Sequence, residues 1–295
     1  MRMLKRVAIG LAIVIVVLGA GFLGLVRYIG AWNLVFENRT HETVPPELPP
    51  ALARPAVLVF TKTNGFRHAD GIAAGVPLLE RIARRRGWSL FHTENGAVMA
   101  PELLARFDAV VFLHATGDMF DEAQEAAFRA WLEGGGGWLG VHAAGDGSHA
   151  DWRWYTETLI GSDYVAHPMN PQFQTATVHV EDATHPATAS LPAAFEHEEE
   201  WYSWERSPRA AGVHVLATVD EDTYVPVADF LGRKQDLRMG ADHPIAWTRC
   251  VGEGRAVYSA LGHQAEAYEV PEHRALLEGA LAWALGLEGA GCEAR

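Results

Sequence analysis

The chain has 295 residues, 49% hydrophobic and 21% charged, a composition that excludes disorder of the whole and is long enough for one large domain or two small ones. Its formal charge of −13 argues against a nucleic-acid partner, because phosphate binding needs clustered Lys and Arg that this chain lacks. The two cysteines, Cys250 and Cys292, form neither a metal-binding pair nor a disulfide framework, and whether they bridge is left open.

Arg2, Lys5 and Arg6 precede twenty uncharged residues, 7–26. At about 1.5 Å per residue this run spans roughly 30 Å, the hydrocarbon thickness of a bilayer. A cleaved signal peptide has a shorter apolar region, about 7 to 15 residues, ending in an A-x-A site that is not clear here. An uncleaved, single-pass anchor over residues 1–30 is therefore expected at the cell membrane, with the amino terminus cytoplasmic and the main domain extracytoplasmic. Five prolines within residues 33–55 predict an extended tether over 31–55. A globular domain over 56–287 and a polar tail over 288–295 complete the division.

Residues 56–61 read as a strand buried on both faces, followed by a polar loop, 62–68. Ile72, Val76, Leu79, Ile82 and Ala83 have helical spacing, in a helix that either kinks at Pro77 or begins there. Strands are predicted over 88–92, 108–114 and 138–141, with a short helix over 103–107. A longer helix begins after Asp121, where Gln124 completes a capping box, and stops at the glycine run 134–137. Four strands alternating with helices predict a parallel sheet with right-handed crossovers. Beyond residue 152 the pattern changes to an aromatic helix, to 160, and antiparallel-type strands over 173–181 and 213–219. A hairpin, 244–250 with 254–261, and a helix over 271–285 opened by Pro271 follow.

Of fourteen histidines, four stand at predicted carboxyl ends of strands: His68, His114, His142 and His263. Strand ends converge in a parallel sheet, and imidazole serves as acid, base, electrophile or metal ligand near neutral pH. The competing reading is a set of buried histidines satisfied by backbone carbonyls. The acidic run 198–200 adjoins Trp201, Tyr202 and Trp204, which suits either a solvated charged face or a sugar site, with carboxylates for hydroxyls and rings for C–H faces. No H-E-x-x-H, C-x-x-C or EF-hand spacing occurs, so a divalent metal would need a dispersed site of His and carboxylate. The glycine run precedes a strand, so it is a helix stop and not a phosphate cradle.

Five motifs in order then resemble the ThuA-like family, named for trehalose utilisation and similar in fold to class I glutamine amidotransferases. They are Gly65-Phe66-Arg67-His68, Gly140-Val141-His142, Glu199-Glu200-Trp201-Tyr202, His243-Pro244-Ile245-Ala246-Trp247, and residues 254–263 ending in Gly262-His263. The resemblance implies a flavodoxin-like, mostly parallel α/β sheet flanked by helices, with antiparallel additions in the C-terminal half. Amidotransferases carry a nucleophilic cysteine at the turn where this chain has His142, so thiolate chemistry of that kind is excluded. Relatives linked to disaccharide catabolism and keto-sugar intermediates imply a carbohydrate or similar small-molecule substrate. The expected activity is cleavage of a glycosidic bond by His142, His68 and Glu200, through acid-base or metal-assisted chemistry. Trp201, Tyr202, His263 and Arg67 would bind the substrate. The alternative is a non-catalytic carbohydrate-binding or interaction module.

Overall fold

A computed structural model describes residues 2–292. In chain order the helices are α1 (Arg2–Tyr28), α2 (Trp32–Val35), α3 (Ala69–Arg86), α4 (Pro101–Leu104), α5 (Glu122–Glu133) and α6 (Pro271–Ala284). The first half supplies strands β1 (Ala56–Phe60), β2 (Ser89–Thr93), β3 (Ala109–Leu113) and β4 (Gly137–Val141). The second supplies β5 (Tyr164–Ala166), β6 (Gln174–Val180), β7 (Ala194–Glu199), β8 (Ser203–Trp204), β9 (His214–Val219), β10 (Val227–Phe230), β11 (Arg233–Asp236), β12 (Pro244–Val251) and β13 (Gly254–Ser259).

Nine strands form one sheet in the order β2-β1-β3-β4-β13-β12-β9-β6-β7. The first five run parallel, with Leu58 opposite Val110, Val110 opposite Trp138 and Trp138 opposite Ala256. The remaining neighbours pair antiparallel. β1, β3 and β4 are buried along their whole length, which is why each is an unbroken apolar run. From β1 the chain moves to β2 on one side and then to β3 on the other. The crevice between the carboxyl ends of β1 and β3 is thus a topological switch point, where open α/β sheets bind ligands.

Local signals account for most boundaries. Asp121 and Gln124 form the capping box that opens α5. α3 runs through Pro77 without a break, so the helix starts directly after His68 and ends at left-handed Gly87. The aromatic segment after residue 152 is a π-helical turn, Tyr155–Ile160. β7 and the β10–β11 hairpin have no counterpart among the predicted elements.

After the short helix α2, residues 37–55 carry no helix or strand, in keeping with five prolines over 45–55, but they are not a free tether. Lys62, buried in the loop after β1, donates from Nζ to the Glu42 carboxylate at 2.6 Å and to the carbonyls of Thr40 and Met119. The same carboxylate accepts from the Gly96 amide at 2.7 Å, and the Glu42 carbonyl accepts from Gln124 at 2.8 Å. A buried ammonium needs such partners, and this strap brings them. At its start the Gly30 carbonyl accepts from the Arg67 amide at 3.0 Å, and Asn33 donates to the Thr63 carbonyl at 2.8 Å. Residues 5–28 of α1 are long and apolar enough to cross a membrane and are almost wholly exposed, as in a span or a signal sequence. The two cysteines are joined as a Cys250–Cys292 disulfide, which ties the tail to β12.

Candidate metal centre

Four side chains from four chain segments meet at the carboxyl edge of the sheet: His68, His142, Glu200 and His263, whose ligand atoms lie within 4.8 Å of one another. His68 is held at the start of α3, at the switch point, and His142 at the first position after β4. His142 has a positive φ of 49° and His114, at the end of the neighbouring β3, one of 52°. Left-handed backbone at a non-glycine residue is strained and is held by its surroundings. His263 follows Gly262, whose φ of 121° suits glycine. Glu200 follows β7.

The hydrogen bonds orient these groups toward one point. His142 Nδ1 donates to the Ala260 carbonyl at 2.7 Å, so its proton is on Nδ1 and Nε2 faces the cluster. Nε2 lies 3.1 Å from His263 Nδ1 and 3.5 Å from Glu200 Oε2, while His263 Nδ1 lies 3.0 Å from the same oxygen. The Nδ1 of His68 is buried and has no hydrogen-bond partner. Tetrahedral ligands about 2.1 Å from an ion stand roughly 3.4 Å apart, close to these separations. Three imidazoles and one carboxylate suit a zinc-class transition metal better than magnesium or calcium, which prefer oxygen. The residues present therefore fit a divalent ion.

Supporting residues fix this arrangement. Glu199 Oε2 accepts from the Gly262 amide at 2.6 Å, and Oε1 accepts from the amides of Glu200 at 2.9 Å and His263 at 3.2 Å. Glu200 Oε1 is occupied by Gln172 and, at 3.2 Å, by His167 Nδ1, which leaves Oε2 for the cluster. Behind His68, His114 stacks at 5.1 Å between ring centroids and bonds the Tyr268 hydroxyl at 2.8 Å. Such outer partners orient ligands and tune their basicity.

Electrostatics follow from burial and from mutual contact. Burial opposes ionisation of Glu200, but His142 and His263 outweigh it and hold the carboxyl well below its usual range. Burial likewise opposes charge on His142, and Glu200 and Glu199 overcome it and raise its pKa. His68 is driven the other way, by burial and then by the neighbouring His142 and His263, so it is neutral with a lone pair to offer. His114, buried beside His68 and His142, is also held neutral.

His142 and Glu200 thus share one point, as an enzyme reading requires, and His68 and His263 join them. The other three expected site residues do not. Trp201 is buried, with its Nε1 donating to the Gln174 carbonyl at 2.8 Å, and it presents no face to a sugar. Tyr202 is also buried; its ring lies 4.4 Å from that of His142 and floors the cluster. Arg67 is turned to Glu94 at 2.7 Å and Thr63 at 2.9 Å. The half-buried rings at the mouth are Phe66, 4.8 Å from the His68 ring, and Phe173, 4.9 Å from the His263 ring. Glu199, His167 and Gln172 went unpredicted. Period-two burial along β7, with His197 and Glu199 inward and Glu196 and Glu198 outward, is the signal that separates the first of them from its neighbours.

Among known families, the ThuA model, described as trehalose utilisation, matches residues 56–284. A ThuA-like protein from Bacteroides uniformis is 26% identical, covers 82% of this chain and 95% of its own, and superposes with a TM-score of 0.67. A ThuA-like protein from Parabacteroides merdae is 19% identical over 78% of this chain and 89% of its own, with a TM-score of 0.57, a likeness of fold. No curated protein sequence matches the chain.

Proposed function

The chain belongs to the ThuA family, and from that premise we propose that it is a membrane-anchored, metal-dependent enzyme acting on the glycosidic bond of a carbohydrate, such as a keto-sugar glycoside, outside the cytoplasm. One observation carries the reading: the convergence of His142 Nε2, His263 Nδ1 and Glu200 Oε2 within 3.5 Å, beside an unpartnered His68. His68, His142, Glu200 and His263 would hold the ion. Bound there, it supplies Lewis acidity to a substrate oxygen.

The chain's own groups do the rest. In a 3-keto-glycoside the C3 carbonyl acidifies the C2–H, so loss of that proton to a base would form the C1–C2 double bond as the C1–O bond breaks and the departing oxygen takes a proton. The step needs a base, a proton donor and an electrophile at the carbonyl. His167, half-buried at the mouth with Nδ1 against Glu200, is placed to carry a proton, and Phe66 and Phe173 offer edges and faces to a sugar's C–H surface. The carbohydrate assignment rests on the family's description and on these rings. The apolar α1 supports anchoring, and the Cys250–Cys292 disulfide supports an oxidising compartment.

The test is to purify the full chain, measure bound metal, and assay glycosides and 3-keto-glycosides with and without chelator. The reading expects one ion per chain, and activity that is lost with chelator and in His142→Ala. Activity unchanged in His142→Ala sinks it. A metal-loaded chain that binds sugar without turnover returns the protein to the class of binding modules.

A further inference from the structure

The β10–β11 hairpin is joined by Leu231 and Gly232, with φ of 52° and 82°. Two successive left-handed residues make the tight turn favoured between strands, which prefers Asn-Gly or Gly-Gly. Leucine is strained there, and its side chain is 91% exposed beside Phe230 at 66%. Neither folding nor solubility asks for an exposed leucine and phenylalanine at a strained tip. Arg233 and Lys234 follow Gly232, in a hairpin that also carries Asp229 and Asp236.

The hairpin lies between the end of β9 and the start of β12, at the same end of the sheet as the cluster. Its base is tied to the loop that carries His167: the Met169 amide donates to the Val227 carbonyl at 3.2 Å and Asn170 to the Asp229 carbonyl at 2.7 Å. On the opposite flank, the end of α1 and α2 are tied to the loop carrying His68, through Gly30–Arg67 and Asn33–Thr63. That flank exposes Leu34, Val35 and Phe36; the hairpin flank exposes Val225, Phe230 and Leu231.

We propose that the Phe230-Leu231 tip inserts into the membrane interface as a second contact, so that the mouth of the cluster faces the bilayer. The inference rests on the proposed anchoring by α1. An apolar tip with exposed Arg233 behind it, and Lys234 beside Asp229 at 3.9 Å, fits the acyl–headgroup boundary, where Phe and Leu are buried and polar groups stay at headgroup level. The occupant is therefore a lipid surface, reached from both sides of the site.

The experiment replaces single residues with p-benzoylphenylalanine in the full chain, reconstituted in vesicles of phosphatidylcholine and phosphatidylglycerol. After irradiation, lipid adducts are expected at Leu231 and at Val14 in α1, and none above background at Leu287, which is exposed at the far end of the sheet. Adducts at 14 without adducts at 231 overturn the inference and leave the anchor standing. Adducts at neither position overturn both. At 231, a cross-link to the same chain identifies a lid and one to a second copy a dimer contact, and either overturns the lipid assignment.

Discussion

The Lys62 ammonium and the Glu42 carboxylate meet at 2.6 Å, joining a buried loop of the domain to a proline-rich segment that its composition presents as a linker. A chain starting at Ala56 loses this pair and the Thr40 acceptor together. Removing one partner of a fully buried pair costs about 3–5 kcal/mol, and the partial exposure of Glu42 brings the expectation to about 2–3 kcal/mol. At about 2–4 °C per kcal/mol for a domain this size, a chain starting at Glu37 should melt about 5–10 °C above one starting at Ala56. Equal melting temperatures would show that the strap is not part of the folded unit.

The same pair sets a pH dependence. Burial would raise the Glu42 pKa, but Lys62 and the Gly96 amide overcome it and lower the group below its ordinary 4.5. A lowered folded-state pKa gives stability that is present above the ordinary value and lost as pH falls through the lowered one. The stability gap between the native chain and Glu42→Gln should therefore be widest near neutrality and close as pH drops below the ordinary 4.5. Denaturant titrations across that range check it; a gap that widens in acid contradicts it.

Glu199 offers no ligand atom to the cluster, yet it holds the amides of Gly262, His263 and Glu200. It is a positioning residue. Glu199→Gln turns an amide donor toward those donors, and loss of such outer partners typically weakens metal affinity about 10–100-fold. Chelator competition on the folded variant measures this. Unchanged affinity would confine Glu199 to stability.

His68→Leu is expected to change the sign of its effect with metal. Without metal, His68 is a buried group with an unpartnered Nδ1, a defect worth about 1–3 kcal/mol, so the variant should be as stable as the native chain or more so. With metal it loses a ligand and should melt lower. Thermal scans with and without zinc decide, and an equal metal-induced rise in both proteins removes His68 from the ligand set.

The sheet's parallel half was legible because β1, β3 and β4 are unbroken apolar runs and Asp121 with Gln124 marks the start of α5. The histidines were legible by position: each follows a strand, and parallel strands end together. β7 was not, since four of its six residues are glutamate or histidine and its alternation is one of burial and not of apolar type. The hairpin turn escaped for a related reason, as Leu231-Gly232 lacks the residues that such turns favour. Trp201 and Tyr202 looked like walls of a cleft because neighbouring aromatics are ambiguous between pocket and core; their burial resolves it. Contacts such as Gln124 to Glu42, 82 positions apart, leave no local trace in a segment without periodicity.

The docked strap also limits the domain's range of action. A free segment of that length would let a tethered domain sweep on the order of 70 Å from its anchor. Here the chain is tied to the domain at Gly30, two residues beyond the end of α1, and again at Thr40 and Glu42. With α1 in a bilayer, the protein has almost no leash. On the proposed anchoring, its encounters would be set by lateral diffusion in two dimensions, within a layer one molecule thick, and not by sampling of the surrounding volume.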